Sequence, residues 1–583
     1  MRTRIEELFE EQNNILRNLV QNTATGATLD DVCLAMIDGT AGGYKRAMKA
    51  WFLANGAQNK VDNGDDITAL VDRWYAITRQ PWDGGMEFYQ PDVSAVSTGT
   101  KYGDNADMQC TPSTDSVANR DDYAGHPFFA CVDCNWLIDA NSLKPKITAI
   151  DGITANFERS NPKKFVGVLQ QNGYTYRIET AQNYREGWST EPKPLESCDY
   201  PFGKNPDGSF RQWMLHAKYA AHVNNDNTMT CCSQVVPTAN MSHNLVHSKA
   251  TATGAGYSGT TAADWSFLKY MTKIKYGLTL DGIIQGCCSH SAQHAAQVSE
   301  TGTKRILLAD GLASTYVVGS NILIGVRNQT NNSTDRGYSE LSSISGKDGR
   351  KITAAETVSI DGVNYTAVYV DGDAFDTVAG TTATNGATIV STWHWSTGTT
   401  DAVKGNDGSM TSNTSGKYPG KIQGVEFMTG GYEVIADVIL KLTQDADAYY
   451  YEPYTVKRAG SQASDVTKDY VATGHKLQQP EKDAWYYQRK EDLKGGLLYP
   501  SDIEGGSSTT YHRDASYLLA FTTGLRELLV FGRLYDGPAV AGVGCSTDDY
   551  SLGNARWNIC ARISNNCINL NFFTSCTPRC DEN

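Results

Sequence analysis

A mainly β, multidomain protein with some α is what the sequence predicts, on three observations. Only 20% of the 583 residues are charged, while 54 Gly, 31 Tyr and abundant Thr, Ser and Asn fill the chain, a composition of strands and tight turns. Short alternating or β-branched runs, bounded by Gly, Pro, Asn and Asp, recur from about residue 86 onward. Strong helical periodicity is confined to the first 85 residues and to the stretch 262–284. A chain of this length can bury several cores, and the pattern divides it into an N-terminal helical region (1–85), a β-rich body (86–300), a β-barrel or sandwich (301–400) and a last domain (415–583).

Charge and hydropathy exclude some functions. The net charge of −14 leaves no basic stripe to neutralise phosphates, so no nucleic-acid partner is expected. No run of about 18 apolar residues occurs, so no membrane insertion is expected either. The start, MRTRIEELFEEQNN, lacks the apolar core of a secretory signal. Folding is therefore expected in a reducing compartment, with release by lysis or on a particle. The 14 cysteines are read as mostly free, buried thiols.

Residues 1–22 read as one amphipathic helix, with Ile5, Leu8, Phe9, Ile15, Leu16 and Leu19 at helical spacing. Helical stretches follow over Leu29 to Asn55 and near Ile67 to Arg79. In the body, KITAI, FVGVL and YTYRIET alternate as half-buried strands do. Cys131 and Cys134 form a CxxC without a second pair at zinc spacing, so buried thiols are expected and no metal. Residues 262–284 carry Trp265, Leu268, Met271 and Ile274 on one side of a helix. His290 and His294 stand at i, i+4 with no third ligand in view, which favours a hydrogen-bonded or solvated pair.

Residues 301–400 are strongly β: KRILLAD, YVVGSNILIGV, ETVSIDG, YTAVYVD and ATIVSTWHW. Asp371, Asp373 and Asp376 do not follow the order of a calcium-binding loop and read as turn carboxylates. A Gly/Ser/Thr/Asn-rich boundary spans 396–420. The last domain opens with KIQGVEFMTGGYEVIADVILKL, passes a candidate helix EKDAWYYQRKEDL, and reaches residues 513–566. There glycines 532, 537, 542, 544 and 553 punctuate Tyr, Trp, Arg, Asn and Asp, the layout of a display surface. A strand INLNFF is expected at Ile568 to Phe573.

The motifs GVEFMTGGYEVIADVILKL, YEPYTV, YVATGHKL, PSDIEGGSSTTYHRD, GLRELLVFGRLYDGPAVAG and LGNARWNICARIS resemble a family of tailed-bacteriophage virion proteins. These end in a C-type-lectin-like α+β domain of the subtype shared with the phage major tropism determinant and formylglycine-generating enzymes. FFACVDCNWLID, SFRQWMLHAKYA, MSHNLVHSKATATGAGYSG and FLKYMTKIKYGLTLDGIIQGCC resemble the body of the same proteins, so the resemblance spans most of residues 105–565. In the tropism determinant, binding residues are scattered over a Gly-spaced segment ending in Gly-Arg; here Ala561-Arg562 stands at that place. By position the resemblance nominates Tyr535, Asp536, Asp548, Asp549, Tyr550, Asn554, Arg556, Trp557 and Asn558 as ligand-facing, with Arg556 and Trp557 as anchors. The alternative for each is a plain surface residue, or for Trp557 a core aromatic. Related segments can be diversified by reverse-transcriptase systems acting on adenines, and the Asn-rich tail is compatible with that.

The resemblance implies a tail-fibre, receptor-binding or head/tail decoration protein of the virion, acting without cofactor. Its implied partners are other virion proteins, further copies of itself (a homotrimer by analogy) and a bacterial surface glycan or protein. No Glu-Pro-Asn triplet followed by Trp-Asn-Asp occurs, so binding without calcium is expected. The alternatives are a purely structural tail, collar or capsid-attached component, and a glycan-degrading spike. The last needs two carboxylates about 5–10 Å apart, and no motif nominates them. Cys545 and Cys560 form no recognisable reactive pair, so no enzyme is expected.

Overall fold

The computed structural model describes residues 28–195, 202–205, 209–278, 283–328, 336, 339–446, 448–457 and 461–566. The expected helix over 1–22 and the strand over 568–573 lie outside these. The described chain is mainly β with a few helices, in several sheets.

The helical stretch from Leu29 to Asn55 is two helices, Leu29–Leu34 and Ala41–Ala54. Gly39 takes a left-handed φ of 79° between them, and the Thr40 hydroxyl restarts the helix by accepting the Gly43 N–H at 3.0 Å. Helices Ala57–Asp62 and Thr68–Ile77 follow. Together they bury Tyr44, Trp51, Phe52 and Trp74 in one aromatic cluster.

The body holds two four-stranded antiparallel sheets. One runs Thr100–Gly103, Asp83–Tyr89, Asn183–Ser189, Tyr174–Glu179, and the other Pro145–Ile150, Val132–Ile138, Phe165–Gln171, Trp213–Ala217. KITAI, FVGVL and YTYRIET are strands of these sheets. Helix Ala262–Tyr276 is buried all round from Ala262 to Lys275 rather than along one stripe. Burying lysines requires paired charges. Lys273 meets Glu186 at 2.8 Å, and Lys269 pairs with Glu491.

Residues 293–392 form a six-stranded sheet in the order Gln293–Ala295, Thr388–Thr392, Asn321–Val326, Arg350–Ile360, Val363–Val370, Arg305–Ala309. Its two edges meet where the Gln297 N–H donates to the Leu307 carbonyl at 2.8 Å, which curls the sheet into a small barrel around Ile306, Leu308, Ile322, Ile324, Val368 and Val390. His290 and His294 share no helix. His290 is buried, and His294 sits on the first strand with Nδ1 2.7 Å from the Tyr316 hydroxyl. Asp371 and Asp376 accept the backbone N–H groups of Lys351 and Gly302, as turn carboxylates do.

The last sheet is built on the long strand Tyr432–Gln444. It pairs antiparallel with Tyr449–Val456 and Gly524–Val530 and parallel with Ile559–Cys560. The candidate helix over residues 481–493 is instead two strands, Ala484–Tyr487 and Lys490–Lys494. Trp485 meets Tyr517 of the paired strand edge-on at 5.5 Å, and such cross-strand packing outweighs the helix propensity of the charged flanks. No α-helix lies among the described residues of 415–566. The helices against this sheet are His243–Thr253 and Ala262–Tyr276, from far upstream. Two hydrophobic cores accordingly draw side chains from both the body and the last 140 residues.

All ten described cysteines are free and nine are buried. Burial pushes the Cys131 thiol up to about 11, which makes it unreactive. No helix of the described residues is long and apolar enough to cross a membrane.

Candidate binding face

Strand Gly524–Val530 turns at Phe531 and Gly532, both at positive φ, and the chain then crosses the end of the sheet as residues 533–557. Of the five glycines that punctuate this segment, only Gly532 takes such a conformation. Gly544 is needed for a different reason, because a Cβ there would lie 1.9 Å from Asp514 Oδ2.

Asp536 is buried and works inward. It accepts the Tyr432 hydroxyl at 2.6 Å, the Arg533 backbone N–H at 3.1 Å and Arg533 Nε at 2.9 Å, which staples the 533–536 turn to the central strand. Above that staple, Tyr535 is 63% exposed, with the Arg533 guanidinium 5.4 Å from its ring centre. Tyr550 is half-buried, and exposed Arg556 lies over its ring at 5.4 Å. Arg556 is held through its backbone, whose carbonyl accepts the N–H groups of Asn240 and Ile559. Asp549 is half-buried and accepts the Thr547 hydroxyl at 2.7 Å, and burial raises its pKa. Asn554 accepts the Ser551 hydroxyl at 2.8 Å.

Four of the nine nominated residues therefore cannot present their side chains to a large ligand. Asp536 is the staple just described. Asp548 is buried against the Tyr499 hydroxyl at 2.6 Å, and burial pushes it up to about 7. Trp557 is 9% exposed in a core with Leu534 and Trp393, so it is the core aromatic and not an anchor. Asn558 is buried, its carbonyl accepting the Tyr432 N–H at 2.8 Å. Tyr535, Asp549, Tyr550, Asn554 and Arg556 remain accessible.

Three residues join the face that were not nominated. Arg533 backs Tyr535. Tyr517 pairs with Thr547, beside Asp549, and carries Trp485. The proximity of Arg533 to Tyr535 was visible as an i, i+2 spacing; Trp485 was hidden by its charged, helix-like context.

Arg562, at the position of the family's terminal Gly-Arg, is not on the face. It is buried and paired with Glu433 at 2.7 Å. Ala561 is also buried, so this dipeptide anchors the end of the segment rather than exposing it.

Together the fold and the face define a mainly β, multisheet protein with a rigid display surface. No protein-family model matches the chain, and no curated protein is significantly similar to it.

Proposed function

We propose that the chain is a tailed-bacteriophage virion protein, a tail-fibre or particle-decorating component, whose C-terminal lectin-like region binds a ligand on the bacterial surface. The observation that carries this reading is the pair of Tyr–Arg stacks, Tyr535 on Arg533 and Arg556 on Tyr550, exposed above backbone that is stapled from beneath. Tyrosine and arginine offer large contact area at low entropy cost, and a pre-organised mount reduces the ordering cost of binding. In several copies on a particle, threefold by analogy, weak single sites gain from multivalency. Other virion proteins are the second class of partner, and the reading invokes no nucleic acid, membrane insertion, cofactor or catalysis.

A structural role as a tail, collar or capsid-attached component is the second reading. It draws support from the two cores that the last 140 residues share with the body, because a face so embedded suits the cementing of neighbouring subunits.

Binding of the labelled full chain to a panel of bacterial cells separates the two. The adhesin reading expects saturable binding that the Y535A/R556A double variant loses. No binding to any cell, or full binding by the double variant, favours the structural role.

A further inference from the structure

The display face is a cationic spot on an acidic protein. The chain carries a formal charge of −14, yet no described carboxylate lies within ion-pair distance of exposed Arg556. Arg533 and Asp536 neutralise one another at 2.9 Å. The other acids nearby are Asp548, Asp549 and Glu527. Asp548 and Glu527 are buried and Asp549 half-buried, and burial favours the uncharged acid in all three. A guanidinium keeps its charge under the same conditions. Arg556 thus stands as the uncompensated charge of the face.

Beside that charge are flat, fixed rings. Tyr535 is among the most exposed large side chains of the described residues and is braced by Arg533. The Arg533 charge also acts on Tyr550, whose ring carries Arg556, so the two stacks belong to one surface. Tyr517 and Trp485 extend it across the neighbouring strands.

From this arrangement we infer that the face takes an acidic saccharide, with an anionic oxygen pair held by Arg556 and a sugar ring lying against Tyr535. The inference rests on the adhesin reading above and commits it to one ligand chemistry. A guanidinium matches the paired oxygens of a carboxylate or phosphate, and an aromatic face accepts the apolar C–H side of a pyranose. A protein partner would need roughly 800 Å² per side with apolar anchors at its centre. Here the large apolar candidate, Trp557, is turned into the core. A nucleic acid would need many cations along a track, and the face offers one unpaired charge.

The test uses the purified full chain and biolayer interferometry against polygalacturonate and hyaluronate as carboxylate polymers, poly(glycerol phosphate) as the phosphate polymer, methyl-esterified polygalacturonate and dextran. Binding to at least one acidic polymer is expected. Esterification, or raising NaCl from about 0.05 to 0.5 M, should weaken it. Arg556→Gln should weaken it roughly tenfold or more, with Arg556→Lys retaining part. Tyr535→Ala should weaken binding, and Tyr535→Phe should not. A preference for the phosphate polymer identifies phosphate as the source of the anion. Equal binding to dextran, or an Arg556→Gln protein that binds as wild type does, overturns the inference. Cell binding that depends on Arg556 while no acidic polymer binds overturns the acidic-saccharide inference and leaves the adhesin reading standing. Absence of both removes both.

Discussion

Replacing Arg562 by methionine removes four hydrogen bonds from the junction where the end of the display segment meets the body. Nε and Nη2 donate to the two Glu433 carboxylate oxygens at 3.0 and 2.7 Å. Nη1 donates to the Ala217 carbonyl at 2.9 Å and Nη2 to the Glu426 carbonyl at 2.5 Å. Only 3% of the arginine side chain and 2% of the glutamate are exposed, so water screens the pair very little. Breaking a buried pair strands the remaining charge and costs about 3–5 kcal/mol. The two orphaned carbonyls place R562M toward the upper end of that range. In the double variant E433L/R562M the stranded charge is gone. What remains is the loss at the two carbonyls and at the Thr260 hydroxyl, which donates to Glu433 at 3.1 Å, so the double variant should recover roughly 2 kcal/mol over the single. Urea unfolding followed by tryptophan fluorescence reads both. A single variant costing under about 1 kcal/mol, or a double variant no better than the single, would refute the view that this pair locks the segment to the body.

Two further outcomes follow from the same geometry. Trp557→Ala should cost about 3–5 kcal/mol through the cavity it leaves against Leu534 and Trp393, whereas Tyr535→Ala should change stability by under about 0.5 kcal/mol; equal thermal shifts in the two variants would contradict the assignment of core and surface. Asp437 is buried, with Oδ1 accepting the Ala262 N–H at 2.8 Å and Oδ2 unpartnered, and burial pushes its pKa up to about 7. Because the folded value lies above the unfolded one of 3.8, its contribution to stability is complete at acid pH and is lost as pH rises through 7. Asp437→Asn cannot ionise, so relative to wild type it should gain on the order of 2 kcal/mol between pH 5 and pH 8. Denaturation midpoints at the two pH values check this, and a constant difference would count against it.

Local chemistry made much of the secondary structure legible. The alternating runs KITAI and FVGVL are strands of the body. The barrel strands follow the β-branched runs of 301–400, including the two-residue turn at Asp361 and Gly362, both at positive φ. Helix Ala262–Tyr276 starts at a Thr261–Asp264 capping box. These features depend on neighbours within a few residues, which a sequence displays directly. The candidate helix at 481–493 misled for the opposite reason. Its charged flanks favour a helix locally, and the decisive contact, Tyr517, is 32 residues from Trp485.

The display segment divides along the same line. Its glycines, aromatics and arginines marked it as a surface from composition alone, and Tyr535, Tyr550 and Arg556 do reach solvent or its edge. Which of its side chains turn inward was decided by partners distant in the chain: Tyr432 for Asp536, Tyr499 for Asp548, Trp393 for Trp557 and Glu433 for Arg562. A polar or aromatic residue type does not specify its own burial. Burial is set by whether a complementary donor, acceptor or apolar wall arrives from elsewhere to offset desolvation, and only the tertiary structure brings those groups together.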